Sequence, residues 1–429
     1  MRTVLVLLFI GQLLLLIGQI HHENGPPISD WEQRLPIPVY VHDTYRQSVH
    51  WVFCAIGFSL GALETLCLGI IFVGARRDVK ALGRPLAVAL VGALAILSIA
   101  APALSTKDPY EYILAGILGF HAYSPGPDPF AHTAYAALEH RIPLRGVLYG
   151  PLWLALDTAV TGAFTSVYPK LLALRVFNAS LLLILLWMSA RARASRPVLL
   201  ILALNPAAWY YLVVNLHVEA QGLIAVTAAF LAARRSWGVR AMMLVTVAAL
   251  IKIVFIVAGA AVFVKFSGVL RRLALWAGAT ALVLAISYAT SGGAYFSDIT
   301  GHLSFYAARA HQRQAEQYFE LIPIVCAIMF LLVTTRRGVF GAAWLFGQLS
   351  PLVNAWYLFW GMPYALVTGQ LDAFLIALPL FAAMIDLNFS GSSLPGTVTA
   401  LVMCLLLLDL YLVTRRRFAP STSCNYAAR

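Results

Sequence analysis

Asp108 is well placed for acid–base chemistry, because it follows a long apolar run after only a few residues. The run covers residues 86–104, and Ser105-Thr106-Lys107 separates it from Asp108. A carboxylate at the border between low-dielectric protein and water is suited to act as a general base. The alternative is a helix cap, since Asp followed by Pro at the first helical position is a common helix start.

A second polar group lies in the sequence Asn215-Leu216-His217-Val218-Glu219, between two apolar runs. Ionisable residues at this depth usually mark a function or a polar pair. His217 and Glu219 could therefore bind substrate on the same side as Asp108, or they could form an ordinary turn hydrogen-bonded to Asn215. The sequence alone leaves both interpretations open.

Lys252 lies in the middle of an apolar run, Ala-Leu-Ile-Lys-Ile-Val-Phe. A buried ammonium costs several kcal/mol unless it is paired, and no acid is close to Lys252 in the sequence. A lipid phosphate would supply the missing negative charge. The alternative is that the cations pair with acids such as Asp157 or Glu64. The cations that could converge on one outward cavity are Arg175, Lys252, Arg309, His311 and Arg313.

Aromatic residues lie near these polar positions. Tyr149-Gly150-Pro151 opens an apolar segment, and Trp356-Tyr357 lies at a turn between two apolar runs. Aromatic rings stack on sugar faces, but an interfacial aromatic belt explains Trp356 and Tyr357 without any substrate. No Walker loop, GxGxxG unit, HExxH, GxSxG or CxxC pair is present in the sequence, so nucleotide-driven transport, zincin chemistry and triad hydrolysis have no support. No metal site is predicted.

The composition indicates an all-α, polytopic membrane protein. Of the 429 residues, 61% are hydrophobic and 11% are charged, whereas a soluble domain carries about a quarter charged residues. Apolar runs recur that match the roughly 20 residues of a membrane-spanning helix. Because lipid offers the backbone no hydrogen bonds, such segments must be helical. The net charge of +12 comes from short cation clusters between the runs, which indicates topology by the positive-inside rule and not nucleic-acid binding.

Placing every cation cluster in the cytoplasm predicts the topology. The long outer loop 105–170 then contains Asp108 and an interfacial or re-entrant helix from Tyr149 to Ser166. A second outer loop covers about 291–317. The predicted spans are 3–20, 51–74, 86–104, 171–189, 198–214 with 219–233, 273–290 with 319–334, 340–354 with 357–368, and 372–386 with 396–413.

Residues 241–264 must form a broken hairpin with its turn near Lys252, because a single span would place the following cations outside. Each arm is then too short to cross, which is acceptable where a broken helix lines a cavity. The total is about 12–14 hydrophobic helical segments, with both termini in the cytoplasm. One transmembrane domain covers residues 1–414, and residues 415–429 form a basic cytoplasmic tail.

The order of these motifs resembles that of the GT-C fold membrane glycosyltransferases. Ser-x-x-Asp-x-Tyr-x-Tyr around Asp108 precedes an Asp-Pro-Phe strip at Asp128, and Tyr149-Gly150-Pro151-Leu152 follows. An outward turn at His217, a mid-membrane lysine and Trp-Tyr-Leu-x-Trp near the C-terminus complete the pattern. Within this fold the chain is most similar to the polyprenyl-phosphate-mannose-dependent α-mannosyltransferases of actinobacterial type.

This resemblance implies an inverting transfer of a sugar, mannose in these relatives, on the extracytoplasmic face. The implied partners are a polyprenyl-phosphate-linked donor, a glycolipid or glycan acceptor and membrane lipid, without nucleic acid. Such a donor requires no nucleotide, and a divalent cation stays an open alternative.

The resemblance also assigns roles to residues. It places the catalytic base at Asp108 and the hairpin lysine at Lys252, with Tyr110 and Tyr149 in the neighbouring pattern. His217 and Glu219 match a turn often written His-Asn-Asp in this family, so this chain has Glu where Asp is usual.

A secondary transporter or flippase of a lipid-linked sugar is the alternative function. Such a protein would show inverted repeats and ions at the membrane midplane, not a large polar outer loop. An outward cavity lined by Asp108, His217, Glu219 and Lys252 would favour the transferase, whereas a central two-fold axis would favour the transporter.

Overall fold

The computed structural model describes residues 84–100, 108–141, 144, 146–191, 199, 203, 206–259, 269–301, 359 and 362–368. Throughout these ranges the chain forms helices, turns and loops, and no strand is present. The all-α prediction is therefore confirmed for this part of the chain. The predicted spans 3–20 and 51–74, both termini and most predicted segments after residue 301 lie outside the described residues.

Helices of varied length make up the described fold. In chain order they are α1 (Arg84–Ala100), α2 (Asp108–Leu118), α3 (Ala136–Arg141), α4 (Pro151–Thr161), α5 (Val167–Arg191), α6 (Pro206–Trp209), α7 (Glu219–Arg234), α8 (Gly238–Ile251), α9 (Val269–Ser291) and α10 (Met362–Thr368). Short 3-10 segments follow α2 at Gly119–Tyr123 and α8 at Ile253–Val257, and a π-helix at Tyr210–Val214 continues α6.

The two main helices of the first predicted outer loop begin where the sequence predicts a helix start. Helix α2 begins at Asp108, and Gly150 caps α4, which has Pro151 at its first position. Proline suits this position because its φ is preset and its missing N–H would have no partner there. Each helix has 11 residues, a length of about 16 Å, which is too short to cross a membrane.

Helices α2 and α4 lie side by side and run parallel. Tyr112 packs against Trp153 with ring centroids 5.2 Å apart, and one turn further along Gly116 packs against Asp157. Helix α5 packs behind them and also contacts α1 and α7, while α7 packs against α8 and α10. Asp108 and Gly150 therefore lie at the same end of the α2–α4 pair.

The predicted break at Lys252 is present. Helix α8 ends at Ile251, Lys252 is extended with φ −146° and ψ 117°, and the chain continues as a 3-10 segment. The break exposes backbone groups that an unbroken helix would satisfy, which is tolerated where protein surrounds them. Residues 260–268, the rest of the second predicted arm, lie outside the described residues.

Two helices in the described part of the chain are long and apolar enough to cross a membrane, by length and composition. They are Val167–Arg191 within α5 and Leu273–Ser291 within α9, with hydropathies of 2.1 and 1.7. Only 17% of the apolar window of the second helix is buried inside the protein. Its leucines Leu273, Leu282 and Leu284 are exposed on different sides of the helix, as expected where lipid surrounds a helix.

Candidate active site

Two acid–base pairs meet at the turn that precedes α7. His217 Nδ1 lies 3.4 Å from Asp108 Oδ2, and Lys252 Nζ lies 2.5 Å from Glu219 Oε1. His217 and Glu219 are two positions apart, so the pairs are neighbours. The structure thus brings together four side chains that the sequence analysis selected from three separate segments.

The turn itself is formed by the π-helix and a residue in an uncommon backbone conformation. Leu216 has φ +59°, which reverses the chain so that the His217 N–H donates to the Tyr211 carbonyl at 3.1 Å. The His217 ring stacks on Tyr211, with centroids 5.9 Å apart and an interplanar angle of 28°. These contacts hold a histidine that is only 1% exposed.

Two polar residues of α5 hold the π-helix. Arg175 Nε donates to the Val214 carbonyl at 3.3 Å, and Asn178 Nδ2 donates to the Leu212 carbonyl at 2.8 Å. Arg175 Nη1 also donates to Ile99 at 3.3 Å, and Arg175 is 3% exposed. These contacts favour a structural role for Arg175, and its predicted phosphate contact stays a prediction. Asn178 was not predicted from the sequence, where its only signal is a polar residue inside an apolar run.

Lys252 has an acid partner, which corrects the reasoning that predicted its phosphate contact. No acid lies near Lys252 in the sequence, yet Glu219, 33 positions away, accepts a hydrogen bond from its ammonium. The alternative, that Lys252 pairs with an acid, is therefore right, although the acid is neither Asp157 nor Glu64. The Lys252 side chain is 14% exposed and that of Glu219 1%, so the ammonium is the more accessible member of the pair.

Tyr149 packs against the Lys252–Glu219 pair. Its ring lies under Lys252 Nζ, 5.6 Å from the ring centroid, in a cation–π contact. Its hydroxyl shares a hydrogen bond with the hydroxyl of Tyr112 at 2.9 Å, and its carbonyl accepts from the Tyr123 hydroxyl at 2.9 Å. Tyr149 is therefore held at both ends of the residue.

Gly150 allows the backbone next to Tyr149 to approach α8. The Gly150 N–H donates to the Ile251 carbonyl at 2.8 Å, next to the break at Lys252. A Cβ at position 150 would overlap the Leu250 carbonyl, so only glycine permits the contact.

The family of the chain follows from a comparison with known proteins. Residues 5–268 match the family model described as alpha-(1->6)-mannopyranosyltransferase, N-terminal domain. This match covers more than half of the chain and includes both acid–base pairs. The chain belongs to this family. It is a mannosyltransferase, a kind of glycosyltransferase, as the motif order predicted. No curated protein and no solved structure matches the chain.

The electrostatics of the two pairs favour a neutral His217 beside Asp108. Burial lowers the pKa of His217 well below its usual value, and the charge of Lys252 lowers it further. A neutral imidazole can donate one N–H to Asp108 without cancelling the carboxylate charge. The Asp108 side chain is 23% exposed and that of His217 is 1% exposed. Of these two residues, Asp108 is therefore the one that a substrate can reach.

The tyrosines of the site stay protonated. Burial raises the pKa of Tyr112 well above its usual value, and Tyr149, Asp108 and Glu219 raise it further. Tyr110 is fully buried, and burial raises its pKa although the charge of Arg175 opposes the shift. Tyr110 therefore packs in the core, and its predicted role in substrate binding stays a prediction.

The other predicted site residues are not all described. Arg309, His311, Arg313, Trp356 and Tyr357 lie outside the described residues. Among the residues that the structure describes, no group of three His, Cys, Asp or Glu side chains could hold a metal ion.

Proposed function

We propose that this mannosyltransferase is a polytopic, GT-C-like membrane enzyme that uses a polyprenyl-phosphate mannose donor. The acceptor is a hydroxyl of a glycolipid or glycan, and the transfer inverts the anomeric configuration on the extracytoplasmic face. The observation that carries the proposal is the adjacency of the two pairs. A reachable carboxylate, Asp108, lies next to a reachable ammonium, Lys252, at one turn.

The proposed reaction uses these two groups on opposite sides of the sugar. The acceptor oxygen attacks the anomeric carbon while Asp108 removes its proton, and the bond from that carbon to the phosphate oxygen breaks. The electron pair of the broken bond stays on the phosphate, whose growing charge the Lys252 ammonium stabilises. No metal is needed for this balance.

The family description supports a proposal for the linkage, and the proposed inversion then sets the configuration of the donor. The family is described by an α-(1→6) linkage, and we propose the same linkage for this product. An inverting enzyme that forms an α linkage must take a β-linked mannosyl phosphate. An α-linked donor would therefore not be used.

Lys252 can still bind phosphate although it is paired with Glu219. An ammonium has three N–H donors, and Glu219 Oε1 accepts from one of them. The ring of Tyr149 lies against another side of the same group, and the Lys252 side chain is 14% exposed, so a ligand can reach it. The pairing lowers the positive charge available to the donor, which we test below with Glu219→Gln.

The membrane topology is testable by labelling. We expect a single cysteine at exposed position 128 to react with a membrane-impermeant reagent from outside the cell. Cysteines at 190 and at the termini should react only from the cytoplasm. Labelling of position 128 from the cytoplasmic side alone would overturn the predicted topology.

Transfer itself is tested with membranes that contain the enzyme. They are incubated with labelled β-linked polyprenyl-phosphate mannose and with mannose-containing glycolipid acceptors. We expect label in the acceptor with an α anomeric configuration. Movement of intact lipid-linked sugar across the membrane, without transfer, would support the transporter instead.

A further inference from the structure

A carboxylate from the second predicted outer loop reaches the first. Asp298 lies in the helical residues 294–301 that follow α9, and its Oδ2 accepts a hydrogen bond from the Val147 N–H at 3.2 Å. The two residues are 151 positions apart. Neither residue was selected from the sequence, because the contact joins two segments with no common pattern.

The contact depends on a glycine. The Asp298 carboxylate lies directly against the Cα atom of Gly146, where a Cβ would overlap both carboxylate oxygens. Gly146 also has φ +150°, a conformation that residues with a Cβ rarely adopt. Position 146 therefore combines the backbone shape and the space that the carboxylate needs.

An aromatic contact accompanies this hydrogen bond between the loops. Tyr295, one turn before Asp298, is fully buried and packs edge-on against Tyr123 with ring centroids 5.7 Å apart. Tyr123 in turn donates its hydroxyl to the Tyr149 carbonyl. The helical residues 294–301 are thus linked to segment 146–150 directly, through the Asp298–Val147 hydrogen bond, and indirectly, through Tyr295 and Tyr123.

Segment 146–150 contains Tyr149, whose ring packs against Lys252 in the candidate active site. Tyr149 lies under the Lys252 ammonium, and the Gly150 N–H fixes the end of the segment to Ile251. A displacement of Val147 would therefore shift the ring on which Lys252 lies.

We propose that Asp298 is a positioning residue, which fastens segment 146–150 so that Tyr149 holds Lys252 toward the donor phosphate. The inference rests on the proposed function of Lys252. Asp298 touches no reacting atom and acts through one backbone N–H. The second outer loop is thus part of the active-site wall.

Substitutions of Asp298 can separate a positioning role of its acceptor oxygen from an effect of its charge. The Val147 N–H needs an acceptor oxygen, which both a carboxylate and an amide provide. Burial raises the pKa of Asp298, and the N–H of Val147 opposes that shift. Asp298→Asn should therefore preserve the contact, whereas Asp298→Ala should remove it. Ser297, exposed on the same helical turn, supplies the matched control Ser297→Ala.

The test is a kinetic series on the full enzyme in membranes with labelled polyprenyl-phosphate mannose. We expect Asp298→Ala to lower kcat/KM about tenfold, mainly through a higher KM for the donor, as a lost hydrogen bond to a charged group predicts. Asp298→Asn and Ser297→Ala should stay within about twofold of the wild type. If Asp298→Ala yields too little folded enzyme, Asp298→Ser replaces it, because the serine oxygen lies one bond closer to its own backbone than the carboxylate oxygen that accepts from Val147.

Amide hydrogen exchange gives a second measurement that does not depend on activity. Asp298→Ala should speed exchange in the peptide that contains residues 146–150, and Asp298→Asn should not. An Asp298→Ala enzyme with wild-type donor KM and wild-type exchange would overturn the inference. A loss of activity in Asp298→Asn equal to that in Asp298→Ala would also overturn it.

The outcomes also separate this inference from the proposed function. If Asp108→Asn abolishes transfer while Asp298→Ala behaves like Ser297→Ala, the positioning role is wrong and the proposed function stands. If Lys252→Met leaves donor KM unchanged, the proposed phosphate contact fails, and the positioning role fails with it even where exchange shows that Asp298 holds the segment.

Discussion

In the described part of the chain two lysines, Lys252 and Lys170, lie near an acid and over a tyrosine ring. Only Lys252 belongs to the pair that neighbours Asp108. The first, here named the site cluster, consists of Lys252, Glu219 and Tyr149. Lys252 Nζ lies 2.5 Å from Glu219 Oε1 and 5.6 Å from the ring centroid of Tyr149. It lies at the break after α8, where a ligand can reach the ammonium.

The second cluster consists of Lys170, Asp157 and Tyr135 and lies at the far end of α4. Lys170 Nζ donates to the Thr161 carbonyl at 2.7 Å and lies 5.9 Å from the ring centroid of Tyr135. Asp157 is 1% exposed, and within the described part of the chain its Oδ2 atom accepts no hydrogen bond. Burial raises the pKa of Asp157 well above its usual value, although the charge of Lys170 opposes the shift.

The difference between the two clusters indicates which feature of a charged cluster favours a catalytic role. Both clusters contain the same three kinds of group, so composition does not separate them. In the second cluster the Lys170 ammonium donates a hydrogen bond to a backbone carbonyl, and the Asp157 carboxyl faces Gly116 inside the protein. In the site cluster the pair is direct and adjoins the reachable carboxylate of Asp108. The accessibility of the ammonium and the neighbouring carboxylate of Asp108 distinguish the two clusters.

The largest expected difference between the clusters comes from their carboxyl groups. Asp108→Asn should lower the rate of transfer by about 10²–10⁴-fold with little change in donor affinity, because Asn caps a helix nearly as well as Asp but accepts no proton. Single-turnover kinetics with labelled donor measure the effect. Asp157→Asn in the second cluster is the matched control and should leave the rate near that of the wild type.

A wild-type rate for Asp108→Asn would remove the chemical distinction between the clusters. The base would then lie elsewhere, and Glu111 or Glu219 would be the next residue to test. A cap alone predicts a different result, namely about 1 kcal/mol of lost stability with activity preserved.

The next effect concerns the two lysines. Lys252→Met should raise the donor KM and also lower stability by about 3 kcal/mol, because it leaves Glu219 buried without its partner. The double variant Lys252→Met with Glu219→Gln should recover the stability and not the donor affinity. Lys170→Met should lower stability without changing the donor KM. Donor titrations and thermal unfolding in detergent measure both quantities.

Glu219→Gln alone sharpens this comparison. It frees Lys252 from a competing negative charge, so the donor and especially the phosphate product should bind more tightly. An unchanged donor KM in every Lys252 and Glu219 variant would make the site cluster as structural as the second one.

A smaller difference is expected from the two tyrosine hydroxyls. Tyr149→Phe keeps the ring under Lys252 and loses the hydrogen bond to Tyr112, which costs about 1 kcal/mol and a few-fold in kcat/KM. Tyr135→Phe loses its hydrogen bond to the Thr165 carbonyl at the second cluster and should change stability alone. Equal kinetic effects of the two variants would contradict the distinction.

The smallest effect is a change in pH dependence at Asp157. Since its folded pKa is raised, the folded enzyme binds more protons than the unfolded chain in the range above pH about 4. Its contribution to stability is therefore lost as pH rises through that range. Asp157→Asn cannot titrate and should flatten the dependence of the unfolding temperature on pH. A profile that stays parallel to the wild type would show that Asp157 is ionised in the folded enzyme.

The local sequence determined where helices start and stop. Asp108-Pro109 starts α2, Gly150-Pro151 starts α4, and the parity of cation clusters predicted the break at Lys252. These features depend on neighbouring residues and on periodicity, which a sequence displays directly. The order of the motifs also identified the family, because each motif occupies a fixed place along the chain.

The tertiary structure alone decided which charges are paired. Lys252 looked unpaired because Glu219 is 33 positions away, and Asp298 carried no signal because its partner Val147 is 151 positions away. Burial and pairing depend on how helices pack, and a linear pattern does not contain those distances. For the same reason the sequence did not show that Lys170 lies near Asp157 and the ring of Tyr135.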